Sequence, residues 1–186
     1  MRFLLYRMLA GLALSPMVLA APYASAAPLT EVGLPLGNEA DPYAPAVARM
    51  LHLLTGYTRW PEPRERLRLC VIEPADHADV MSSSAFAKKT GIGVLPAAPR
   101  GMAGKNCDIV YIGRLSMDAQ REVTHALRGK PVLTVAENDP ACRSQAMICL
   151  LFEAESLSFR LNIDAVSRSQ VRIDPRVLRM GMEADE

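Results

Sequence analysis

What the sequence lacks narrows its chemistry first. It contains no G-x-G-x-x-G, no P-loop, no H-E-x-x-H and no G-x-S-x-G. The usual dinucleotide, phosphate, zinc-protease and serine-hydrolase readings therefore have no motif behind them. Aromatic residues make up only 5 % of the chain, with a single tryptophan, and the formal charge is +1. A near-neutral chain lacks the basic footprint of a nucleic-acid binder. It shows no internal repeat and no low-complexity tract. Beyond the N-terminal segment no apolar run approaches the ~20 residues that a bilayer-spanning helix needs.

The N-terminus is the exception. In "MRFLLYRMLAGLALSPMVLAAPYASAAP", Arg2 and Arg7 precede an apolar run, and Ala24-Ser25-Ala26 offers an A-x-A cleavage site. This is the pattern of a secretory signal peptide, residues 1–26, with a cut after Ala20 as an alternative. Pro16 interrupts the apolar run, which argues against a membrane anchor. No cysteine directly follows the cut, which argues against a lipid anchor. Removing Arg2 and Arg7 takes the formal charge from +1 to −1. The mature chain of about 160 residues suits one domain with a sizeable core.

Export changes the meaning of the four cysteines, Cys70, Cys107, Cys142 and Cys149. In an oxidising compartment an even set reads as two disulfides, and four cysteines allow three pairings. A zinc site would want C-x2-C spacing or neighbouring histidines, and a thioredoxin-like pair would read C-x-x-C. Neither pattern is present; His52, His77 and His125 lie in other segments. No metal site and no cofactor are expected.

Along the chain, residues 27–43 are rich in Pro, Gly and small residues and read as a flexible lead-in. In "DPYAPAVARMLHLLTGYTRWP", Val47, Met50, Leu51 and Leu54 recur at helical spacing, with Gly56 placed to end the helix. "RLRLCVIE" is a buried strand, and "PADHADVMSSSAFAKKTG" a helix stopped by Gly91. "IGVLPAA" is an edge strand, because Pro96 cannot donate to a ladder. "CDIVYIG" and "PVLTVAE" are strands on either side of a helix that Ser116 caps and Gly129 closes. "ICLLFEAESLSFRLNID" reads as a hairpin. "AVSRSQVRIDPRVLRMG" reads as a short helix, an extended "VRI" and a last helical turn after Pro175. The order predicts an α/β fold: a three-layer sheet with crossover helices, plus a C-terminal β-hairpin and short helices. Cys70 then lies inside one central strand and Cys107 opens another, within disulfide reach if the strands are neighbours. That leaves Cys142 and Cys149 to close a small loop.

Candidate chemistry is sparse. His52 sits among apolar residues. His77 and His125 fall on predicted helices without a nucleophile beside them, so no catalytic residue is assigned. Asp164 reads as the cap of a helix beginning at Ala165, and Asp174 as the cap before Pro175. Arg160, Arg168, Arg172, Arg176 and Arg179 are interleaved with acids and read as a solvated face or a protein contact. Ile163, Val166, Ile173, Pro175 and Leu178 place much apolar surface on a short, turn-rich stretch, either as core or as a surface groove. Trp60 in "TRWP" is either a core plug or an exposed contact.

"GYTRWP", "LRLCVIE", "NCDIVYIG", "PVLTVAEND" and "CRSQAMICLLFEAESLSFRLNIDAVSRSQVRIDPRVLRM" together resemble the YfiR family, from about Ala44 to Arg179. The most specific piece is Arg160 to Ser169. The resemblance implies one α/β domain over residues 44–182, usually a homodimer, stapled by Cys70–Cys107 and Cys142–Cys149. It implies a non-enzymatic periplasmic repressor. Such a protein binds the periplasmic part of an inner-membrane GGDEF diguanylate cyclase, lowers cyclic-di-GMP and biofilm formation, and does not insert into the membrane. An OmpA-like, peptidoglycan-associated outer-membrane lipoprotein sequesters it. The apolar pocket facing that lipoprotein maps onto Ile163, Val166, Ile173, Pro175 and Leu178. Arg160 stands where other members can carry an acid. The competing expectation is a periplasmic sensor that binds a small molecule in the same pocket.

Overall fold

The computed structural model describes residues 33–101 and 106–179. The signal-peptide segment lies outside the described residues. Part of the expected lead-in proves ordered: β1 (Gly33–Pro35) pairs antiparallel with a later strand and buries Leu34. A three-residue edge strand carries no periodicity long enough to be read from sequence.

The helix α1 (Tyr43–Tyr57) starts where the Asp41 carboxylate accepts the Tyr43 and Ala44 N–H groups at 3.0 and 3.3 Å. It buries Val47, Met50, Leu51 and Leu54 along one stripe, as their spacing predicts. It continues through Gly56 and leads into β2 (Thr58–Arg59). β3 (Arg68–Ile72) follows. The predicted helix after β3 is shorter than expected: α2 spans only Ser84–Thr90, capped by Ser83 and ended by Gly91 at φ 73°. The segment before it is turn, held by bonds from its own backbone and from a buried glutamate described below.

Next come the strands β4 (Gly93–Ala97) and β5 (Ile109–Ile112), the helix α3 (Met117–Leu127) and the strand β6 (Leu133–Ala136). Ser116 caps α3 through the Ala119 N–H at 3.3 Å. β7 (Ile148–Phe152) and β8 (Ser156–Leu161) make the expected antiparallel hairpin. The chain closes with α4 (Ile163–Ser167), β9 (Arg172–Ile173) and a 3-10 turn over Pro175–Arg179.

The main sheet has the order β1-β8-β7-β6-β5-β3-β4, and β2 pairs with β9 in a separate ribbon. β4, β3, β5, β6 and β7 run parallel. β3 connects outward to β4, whereas β5 connects the other way to β6. With one handedness of crossover, the two connecting helices must fall on opposite faces. They do: Phe86 of α2 joins the core beneath α1, while Val123 and Leu127 of α3 join the opposite side. The strands alternate to match. Leu69, Val71, Ile109 and Tyr111 face α1; Cys70, Ile72, Val110 and Ile112 face α3.

Among the described residues β1 and β4 are the outer edges, and both carry proline where it matters. Leu36 N–H donates to the carbonyl of Glu155, just before β8, so Pro35 points away from the sheet. Gly93 N–H donates to Leu67, so Val94 and Pro96 point outward. Each edge therefore lacks one backbone donor, at its proline, on the open side.

Candidate partner-binding cleft

Cys70 and Cys107 are bonded, with Cα atoms 5.8 Å apart, and Cys142–Cys149 is bonded at 5.6 Å. The first pair joins adjacent strands, since Cys70 lies on β3 and Cys107 enters β5. Directly after it stands Asp108, 1 % exposed. Its carboxylate accepts the Arg68 Nε–H at 3.2 Å and the Arg68 backbone N–H at 2.9 Å, and forms an ion pair with Arg64, whose Nε is 3.1 Å away. Its carbonyl accepts the Trp60 indole N–H at 3.2 Å. Trp60 is half-buried: the ring packs against the core and its bond reaches β5 from beyond β2. It is both plug and wall.

The far side of that wall is a cleft of about 590 Å³. Its frame is the β2–β9 ribbon, in which Thr58 faces Ile173 and Arg59 faces Arg172. Both strands of the ribbon are tied at the end next to α1: Thr58 Oγ1 donates to Leu54 O at 2.7 Å, and Asp174 N–H donates to Tyr57 O at 2.9 Å. Trp60, Val166 and Ile173 supply apolar lining; Ser169, Arg59 and Arg172 supply polar lining. No carboxylate lines the cleft among the described residues. Arg59 Nη1 donates to the Gly56 and Thr58 carbonyls at 2.7 and 3.1 Å, and Arg172 stands opposite it in the ribbon, so the cleft carries two positive charges.

The C-terminal block is pinned by three residues that sequence reading did not single out, Ala165, Val171 and Val177, all buried. They free their neighbours to face outward. Of the five expected contact residues, Val166 and Ile173 line the cleft and are half-buried. Ile163, Pro175 and Leu178 are exposed and outside its lining; Ile163 is 65 % and Leu178 48 % exposed. The caps also differ from expectation. α4 begins at Ile163, and Asn162 caps it through the Ala165 N–H at 3.0 Å. Asp164 instead pairs with Arg168 one turn on. Asp174 does cap the final turn through the Arg176 N–H at 2.9 Å. Hydrogen bonds from the Arg176 side chain and backbone hold its pKa down at about 2.

His52 and His125 are exposed on their helices. His77 pairs with Asp41 at 3.1 Å and packs against Tyr43 and Phe152. Among the described residues no group of three or more His, Cys, Asp or Glu could hold a metal ion. In doubly wound sheets ligands enter the crevice where neighbouring strands connect in opposite directions, here past β3 and β5. That crevice is filled by the chain itself. A methyl on Gly113 would lie 2.2 Å from Pro74 O, so only glycine fits beneath the passing backbone. Glu137, 4 % exposed, holds the same loop by accepting the Asp76 and His77 N–H groups at 3.1 and 2.8 Å. Burial raises its pKa above 4.5.

The chain is thus an α/β domain cross-linked by two disulfides, with a cleft between its C-terminal block and the Arg59–Pro61 segment. A family model described as YfiR/HmsC-like matches residues 45–182, and the chain belongs to that family. Membership and the two disulfides imply a periplasmic regulator of a diguanylate cyclase system. No helix among the described residues is long and apolar enough to cross a membrane.

Proposed function

We propose that this protein is a periplasmic repressor that binds the periplasmic part of an inner-membrane GGDEF diguanylate cyclase and keeps it inactive. Capture by an OmpA-like outer-membrane lipoprotein withdraws it and releases the cyclase. The working unit is a homodimer, and the protein is not an enzyme. Two partners then compete for one protein, and cyclase output follows the free fraction of repressor. The observation that carries this reading is the cleft: apolar walls from Trp60, Val166 and Ile173 under the facing Arg59 and Arg172, with no acid among its lining residues. Such a cleft suits an apolar side chain flanked by a carboxylate.

The test is capture of the repressor by the purified lipoprotein. Val166→Asp and Ile173→Asp each put a charge against the apolar wall and should weaken capture by about tenfold or more. Circular dichroism checks that each variant is folded. Ile163→Asp and Leu178→Asp, on exposed positions, separate a broader contact from the cleft alone. Undiminished capture by folded Val166→Asp and Ile173→Asp places the lipoprotein elsewhere. The cleft volume also falls within the range of small-molecule sites, which favours a ligand-sensing role as a second reading. Calorimetry on the protein with and without the cyclase ectodomain separates the two.

A further inference from the structure

A second groove lies between α1 and α2, away from the C-terminal block. α1 contributes Pro45, Ala48, Arg49 and His52, the i, i+3, i+4, i+7 set of one helix stripe. α2 contributes Ala85, Phe86 and Lys89, a shorter stripe of about one turn. The groove holds about 310 Å³. Its walls are mainly apolar, and Val80 at the lip is 36 % exposed. Leu53, 37 % exposed, stands one turn from Arg49 on α1. The charged residues along the groove are of one sign. Arg49 uses one nitrogen on Pro35 O at 2.8 Å, and Lys89 makes no ion pair or hydrogen bond among the described residues. No Asp or Glu lines it.

We propose that this groove is a docking site for an acidic amphipathic helix of a partner protein. A stripe of about two turns on α1 beside one of about one turn on α2 leaves room for two apolar side chains one turn apart on a third helix. Carboxylates beside those anchors meet Arg49 and Lys89 at the rim, which sets orientation and speeds encounter. A basic helix is repelled, and a neutral one leaves the lysine unpaired. Resting on the function proposed above, the helix belongs to the cyclase, because the C-terminal cleft is assigned to the lipoprotein. The two partners then hold different faces of the repressor, and their competition is a negative coupling: capture at the C-terminal cleft weakens the hold of the cyclase on this groove.

The first probe is a labelled helical peptide of Leu, Glu and Ala with leucines one turn apart, read by fluorescence anisotropy. Binding should fall by about tenfold in Lys89→Glu and in Val80→Asp and should weaken with salt. It should be unchanged in Val166→Asp, and absent when lysine replaces glutamate in the peptide. Equal binding of the acidic and basic peptides, or no loss in the two groove variants, overturns the proposal. So does a gain in peptide affinity on removing residues 180–186, which would make the chain's own acidic end the occupant. Loss of a self-associated species in sedimentation of Lys89→Glu would assign the groove to a second copy and overturn it too. The second probe is the purified periplasmic domain of the cyclase. If wild-type protein does not bind it, the proposed function fails while the peptide result stands alone. If wild type and both groove variants bind it equally, the groove assignment fails and the function survives.

Discussion

On the α1 face of the sheet one apolar cluster runs without a break from Leu34 on β1 to Val177 in the last turn, through α1 and five central and hairpin strands. On the α3 face burial is divided: Cys70, Cys107 and their neighbours under α3 form one small cluster, and Ala136, Cys142, Ala146 and Cys149 another. Both disulfides lie on this second face. Apolar burial scales with area, so the thin face gains less from it, and covalent links supply what packing does not. The links also differ from each other. Cys70–Cys107 spans 37 residues and joins two strands. Cys142–Cys149 spans seven and closes a loop already held by Asp139, whose buried carboxylate accepts the Arg143 and Ser144 N–H groups at 3.0 and 2.6 Å.

The sharpest way to break this comparison is to remove the links one at a time. Cys70→Ala with Cys107→Ala should lower unfolding free energy by about 4 kcal/mol in urea titrations. The same change should shift the emission of the single tryptophan, because Trp60 is anchored to the residue that follows Cys107. An unaltered Trp60 signal would mean that the link and the cleft are independent. On the packed face, Leu51→Ala should lose about 3 kcal/mol through transfer and cavity terms, equally in oxidised and reduced protein. A loss that grows on reduction would show that the two faces are not separately held. Cys142→Ala with Cys149→Ala should lose about 2 kcal/mol and leave Trp60 emission in place. If this pair proves the more stabilising, loop length is the wrong guide to the cross-links.

The smallest expected effect concerns pH. Burial raises the folded pKa of Glu137 above 4.5, so the folded state binds its proton more tightly. Stability should therefore rise as pH falls through that raised value toward 4.5 and level off below it. Asp174 acts in the opposite sense: its pKa of about 2 against 3.8 contributes stability that disappears on acidification between those values. Glu137→Gln should flatten the upper limb of the urea-midpoint profile and leave the lower limb. A profile unchanged in the upper limb would show that the loop relaxes around Glu137 when it ionises.

Much of the fold was legible because it rests on local signals. The order of helices and strands, the edge position of β4 from Pro96, the caps at Ser116 and Asp174 and the stop at Gly91 all follow from residues a few positions apart. What escaped reading is non-local. β1 exists because β8 lies beside it, and β2 exists because β9 does. The facing of Arg59 and Arg172 comes from that second pairing, across more than a hundred residues. The C-terminal block was seen as apolar, but its small anchors Ala165 and Val177 look no different in sequence from the side chains they release to the surface. Asp108 and Glu137 gave no signal because their burial depends on arginines and amides brought from other segments.

Pro35 and Pro96 bear on a different hazard. A sheet ending in two open borders can template growth by adding the border of the next molecule, and then the next, into a fibre. Here each border is missing an amide hydrogen on the side a newcomer would approach. A newcomer strand at either border therefore loses one ladder bond and meets a rigid ring in its place, which weighs against growth by edge-to-edge pairing.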